Sequence, residues 1–72
     1  MTHVTANFQG KWQRETDMAV GFTTTDGKEY FATDIVIKNR IRATATGAKI
    51  DFFWSQMPGT VDKIVSQYTV IP

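Results

Sequence analysis

No leucine occurs anywhere in this chain, while threonine (11), valine (6) and isoleucine (6) together supply 23 of its 72 residues. Leucine is among the strongest helix formers. β-Branched side chains are stiff at χ1 and sit best on a pleated sheet. Five Phe, two Tyr and two Trp push the same way. The composition therefore predicts an all-β fold. At this length it is a single domain, residues 1–72, because two separate cores cannot be buried in so short a chain. An apolar share of 42% is too high for a disordered segment. No cysteine is available to staple the small core, so modest stability is expected.

Residues 4–12 alternate strictly, with Val4, Ala6, Phe8, Gly10 and Trp12 set against Thr5, Asn7, Gln9 and Lys11. That is the period of a strand with one buried face. Residues 13–18 are polar and read as a loop, and residues 19–25 as a second strand. Asp26-Gly27 then supplies a strong short hairpin signal. Residues 28–33 return as strand three, with Ile35, Val36 and Ile37 extending it or opening the next turn. Residues 38–46 are weakly patterned and read as a loop, with room for a helical turn. Gly47 opens strand four, where Ile50, Phe52 and Trp54 share one face and Lys49, Asp51, Phe53 and Ser55 the other. Met57-Pro58-Gly59 is a turn, and residues 60–71 form strand five. Five strands, a tight central hairpin and a long third connection fit a small five-stranded antiparallel barrel of the OB type.

A two-residue turn at positions 26 and 27 sets Phe22 opposite Phe31 and Val20 opposite Thr33. Val20, Phe22, Phe31 and Thr33 then share one face, and Gly21, Thr23, Tyr30 and Ala32 the other. Two readings of the phenylalanine pair compete. As a core pair it adds about 0.2–1 kcal/mol beyond burial. On the outer face it is a stacking platform, worth roughly 1–3 kcal/mol per nucleobase. Period two alone favours the core.

Lys11-Trp12, Gly21-Phe22, Asp26-Gly27 and Tyr30-Phe31-Ala32, in that order and spacing, resemble a cold-shock domain. That family carries a Lys-Trp on strand one, a Gly-Phe-Gly-Phe motif on strand two and a Val-Phe-Val-His motif on strand three. Gly47-Ala48-Lys49-Ile50-Asp51-Phe52 is similar to its fourth strand, and residues 61–65 to its last, so the resemblance spans roughly residues 8–70. It implies an OB barrel that binds single-stranded RNA or DNA on strands two and three. It places Lys11, Trp12, Val20, Phe22, Phe31 and Thr33 on the ligand face and so reverses the preference for a core pair. The chain departs from the family in having Val20 for the first strand-two phenylalanine and Thr33 for the strand-three histidine. Gly10 and Thr23 stand where the family buries valine and isoleucine. Trp12 shares parity with Phe8, which points it inward. A bulge at Gly10 would turn it outward.

Arg40 and Arg42, with Lys38, alternate along the third connection and are candidate phosphate contacts; a solvated loop explains them as well. Trp54 reads as core, and Phe53 as a strand-end residue folded under a loop. No catalytic constellation stands out. Glu15 and Asp17 share a loop, Asp26 is explained as a turn residue, and Ser55 and Ser66 lack a histidine base, since His3 is the only histidine. The expectation is no enzyme, no metal and no cofactor. No apolar run approaches the ~20 residues that span a bilayer, and Met1-Thr2-His3 does not open a signal peptide, so a cytoplasmic location is expected. Two functions remain. One is a cold-shock-like binder of single-stranded nucleic acid, acting as an RNA chaperone or a modulator of transcription or translation. The other is a small barrel that has lost this ligand and serves in protein interaction or oligomerisation. The near-neutral charge of +1 favours the second, and pairing of edge strands would make a homodimer.

Overall fold

A computed structural model describes residues 1–16 and 18–72; Asp17, one of the two loop carboxylates noted above, lies outside the described residues. The elements run β1 (Thr2–Gln13), β2 (Val20–Thr24), β3 (Glu29–Ala32), α1 (Ile35–Arg42), β4 (Lys49–Gln56) and β5 (Lys63–Ile71). The strands close on themselves in the order β1-β2-β3-β5-β4. All neighbours are antiparallel except β3 and β5, which run parallel and meet at Phe31 and Ile64. The closed sheet agrees with the β-rich expectation; the parallel pair and the helix are additions to it.

β1 serves two neighbours in turn. Its first half pairs β4 from Thr2 opposite Trp54 to Asn7 opposite Lys49, and its second half pairs β2 from Phe8 to Gln13. Between Phe8 and Gly10 the register shifts, leaving Gln9 as the extra residue of a bulge. The bulge reverses the parity of everything that follows. Phe8 points into the core, yet Trp12, four residues on, pairs with Gly21 on the outer face. The bulge that the glycine suggested is thus present, and it settles the direction of Trp12.

The β2–β3 hairpin differs from its expected register. The Thr24 amide donates to Lys28 O at 3.0 Å and the Gly27 amide donates back to Thr24 O at 2.9 Å. The loop therefore holds residues 25–27 rather than two, with Gly27 at φ +86°. This is the type I turn plus left-handed residue of a three-residue hairpin loop. One extra loop residue slips the ladder by one and exchanges the faces of β3. Phe22 now lies opposite Tyr30, and Gly21 opposite Phe31. The proposed face of Val20, Phe22, Phe31 and Thr33 does not form. Val20, Phe22, Tyr30 and Ala32 point inward instead.

The core is largely aromatic. Phe22 meets Phe52 edge-on at 5.2 Å between centroids and Tyr68 at 5.5 Å, and Tyr30 meets Phe52 at 4.7 Å. Such pairs add about 0.5–1.5 kcal/mol each beyond the area they bury. Ile50 and Val65 complete the strand contribution, and Ile37 and Ile41 close one end from α1.

The stretch read as a loop over 38–46 is in large part that helix. Asp34 caps it, its carboxylate accepting from Val36 N at 2.9 Å and Ile37 N at 3.2 Å. The buried Ile37 and Ile41 stand four apart on one face. β-Branched residues hide the helix from propensity, but burial of that face outweighs a per-residue penalty of no more than ~0.7 kcal/mol. At the other end the Lys11 ammonium donates to Arg42 O at 2.6 Å and Thr44 O at 3.1 Å, a cation at the negative end of the helix dipole. Strand five also begins later than expected, at Lys63, because Met57 N donates to Asp62 O at 3.0 Å and holds residues 57–62 as a turn.

Candidate functional site

Two aromatic rings reach the outer face of the β1–β2–β3 ribbon side by side: Trp12 opposite Gly21, and Phe31 on the other side of Gly21. The indole lies directly over Gly21, so that a Cβ there would fall inside the ring atoms. Glycine at position 21 is therefore a requirement of Trp12 rather than of the backbone. Trp12 stays half-buried. Phe31 is only 3% exposed, because the Arg14 guanidinium sits 4.8 Å above its ring and the β4–β5 loop flanks it. Together Trp12, Arg14, Glu29, Phe31, Val61 and Lys63 line a cleft of about 250 Å³. Tyr30, facing the core, reaches the cleft from below, and Lys63 holds its ammonium 5.3 Å from both the Tyr30 and the Trp54 rings.

The cleft carries Arg14 and Lys63 against Glu29 and Asp62, so its formal charge balances. Burial raises the Tyr30 phenol above its ordinary pKa, and the Asp26 carboxylate adds to this. Tyr30 thus remains neutral through the physiological range. Its neighbour Asp26 is shifted the other way. The Thr24 hydroxyl donates to it and lowers its pKa, with the Lys28 amide and charge assisting against a smaller opposing effect of desolvation. The described residues hold no group of three or more His, Cys, Asp or Glu that could bind a metal ion.

Of the residues singled out in the sequence, Trp12 and Phe31 come together here and the others do not. Phe22 and Val20 are core residues, 0% and 2% exposed; the register slip and the burial of Tyr30 with them are the physical reason. Lys11 is on the inner-face parity opposite Phe22 and spends its ammonium on the end of α1. Thr33 and Arg40 line a separate groove between α1 and β5. Arg42 binds Asn39 Oδ1 at 2.9 Å on the exposed end of the helix. Phe53 is not folded under a loop. It lies on the outer face of β4 with the His3 ring 4.7 Å away, and His3 in turn meets Asp51. The indole of Trp54 packs partly against the core.

Sequence reasoning missed Arg14 and Lys63. Arg14 stands two residues past Trp12 and so on its face, which becomes readable once the bulge is known. Lys63 is placed by a turn whose length the Pro-Gly signal does not give. Comparison of the chain with protein-family models, with curated proteins and with solved structures finds no match. No described helix is long and apolar enough to cross a membrane.

Proposed function

We propose that the closed sheet is an OB-type barrel of cold-shock-like character whose β1–β2–β3 outer face binds single-stranded RNA or DNA in the cytoplasm. The observation that carries this reading is the pairing of Trp12 and Phe31 across Gly21, with Arg14 and Lys63 beside them. The strand order, with α1 between β3 and β4, supports the barrel type, whose strand two–three face is a common oligonucleotide site. One base stacks on the open side of Trp12. A second takes the place of Arg14 over Phe31. A stacked base is worth roughly 1–3 kcal/mol. The displaced guanidinium and Lys63 then meet phosphate. Binding a strand this way holds RNA open, which is how such a protein acts as an RNA chaperone or modulates transcription or translation.

The test is titration with oligothymidine, followed by amide and indole N–H shifts. Shifts should gather on Trp12, Gly21, Phe31 and residues 61–63, and Trp12→Ala should remove them. With two cations engaged, log K should fall against log salt with a slope no steeper than about −1.4. An unchanged spectrum at millimolar oligonucleotide rejects the proposal. A second reading, a protein-interaction module, is favoured by the exposed Met18, Ile35 and Val36. Lys38 Nζ, donating to Met18 O at 3.1 Å, ties that loop to the start of α1.

A further inference from the structure

Beyond the cleft, β5 has an unfinished edge. It pairs β4 from Lys63 to Ile71, with Ser66 left out at a bulge, but its other side meets β3 at Ile64 alone. The N–H and C=O of a strand residue point to the same side. The Tyr68 carbonyl accepts from Arg40 Nη1 at 3.0 Å, from the side of α1. Tyr68 therefore directs both its backbone groups away from β4, and Val70, two residues on, does the same. Among the described residues no backbone partner reaches this edge beyond Ile64. A groove runs along it between α1 and β5, formed by two adjoining depressions of about 580 and 530 Å³ that share Arg40, Tyr68 and Thr69.

We infer that this groove binds an extended acidic peptide segment, which adds to β5 as a further strand. Unpaired backbone donors and acceptors along an open strand edge are a template for a further strand, and a row of them is matched by another extended backbone. α1 flanks the row through Ile37 and Arg40. Charge selects the peptide. Arg40 carries five N–H donors, and among the described residues only the one bonded to Tyr68 O is engaged. Asp34, the carboxylate at the end of the groove, is held through Oδ1 at the N-terminus of α1, whose dipole offsets its charge. A Glu side chain beside Arg40 completes the guanidinium while the peptide backbone takes Tyr68 N–H and the Val70 groups. The stretch from Ser66 to Val70 is about 16 Å long at strand rise, which pairs about five residues of a bound segment. This surface is independent of the Trp12–Phe31 cleft and stands whether or not that cleft binds nucleic acid.

The probe is the blocked heptapeptide Thr-Val-Thr-Glu-Thr-Val-Thr, titrated into the full chain and followed by amide shifts and hydrogen exchange. Shifts and slowed exchange are expected at Tyr68 and Val70, with the Trp12 indole unmoved. The same peptide N-methylated at alternate amides should not bind. Arg40→Glu should weaken the Glu peptide by roughly fivefold, the range of an exposed ion pair, and strengthen a Lys-substituted one. Equal binding of the N-methylated peptide, shifts confined to other strands, or no shift at millimolar peptide overturns the inference. Concentration-dependent broadening of Tyr68 and Val70 without peptide also overturns it, by assigning the edge to a second copy.

Discussion

The two faces of the β2–β3 hairpin are built from the same short run of residues but under different rules. The inner face, with Val20, Phe22, Tyr30 and Ala32, is packed on all sides by Phe8, Phe52, Tyr68 and the α1 isoleucines. The outer face, with Gly21, Thr23, Glu29 and Phe31, is covered by side chains that lie across it, the Trp12 indole and the Arg14 guanidinium, and by the β4–β5 loop at its edge. Low exposure therefore has two meanings here. Phe22 is enclosed by the fold. Phe31, at 3% exposed, is covered by the long side chain of Arg14 and flanked by the β4–β5 loop.

The sharpest way to break this contrast is to truncate each ring in turn. Phe22→Ala leaves a cavity inside an aromatic cluster that cannot collapse, and should cost about 3–5 kcal/mol in a denaturant titration. In a protein with so small a core this is enough to unfold most molecules. Phe31→Ala should cost about 2 kcal/mol, the transfer free energy of the ring without a cavity contribution, since water and Arg14 fill the gap. Equal losses would mean that both faces are core.

Gly21→Ala sharpens the comparison on the outer face alone. The new methyl group occupies the space of the indole, and the indole is the part that can move. Trp12 should swing into solvent at a cost of about 1 kcal/mol, seen as a shift of its indole N–H resonance toward the random-coil position. An unmoved Trp12 with a large loss of stability would show that the ring is locked in place.

How much of this was readable beforehand depends on what decides each feature. The strands and the closed sheet were legible because alternation and β-branched composition report burial directly, and Asp26-Gly27 located the hairpin. The face assignment was not, because it hinges on a single loop residue. Asp-Gly is compatible with a two-residue and a three-residue loop, and no local pattern shows that Tyr30 rather than Phe31 packs against Phe52 and Trp54. The same holds for Trp12, whose direction is set by the bulge at Gln9, although Gly10 hinted at it. The helix was hidden by Ile35, Val36 and Ile37. Its readable signals were Asp34 as a cap and the four-residue spacing of Ile37 and Ile41. Of the candidate site, only Trp12 and Phe31 survived together, since basic residues such as Lys11 are placed by tertiary carbonyls that no local pattern shows.

The smallest expected effect lies at the hairpin tip, where the register is decided. Asp26 accepts from the Thr24 hydroxyl and from Lys28 N, and these bonds lower its pKa in the folded state. A carboxyl with a lowered folded pKa contributes stability above its unfolded value of about 3.9, and that contribution is lost as pH falls through the folded value. Asp26→Asn keeps an acceptor oxygen and the turn preference but removes the titration. The melting temperature of the wild type should therefore approach that of the variant as pH drops below about 4, with the wild type the more stable at neutral pH. The difference is slight because Asp26 is open to solvent, and salt should reduce it further. A variant that instead melts well below the wild type at every pH, and shows Phe31 rather than Tyr30 moving into the core by ring contacts, would show that this one carboxylate selects the loop length. The distinction between the two faces would then rest on the tip of the hairpin rather than on the packing of its aromatic residues.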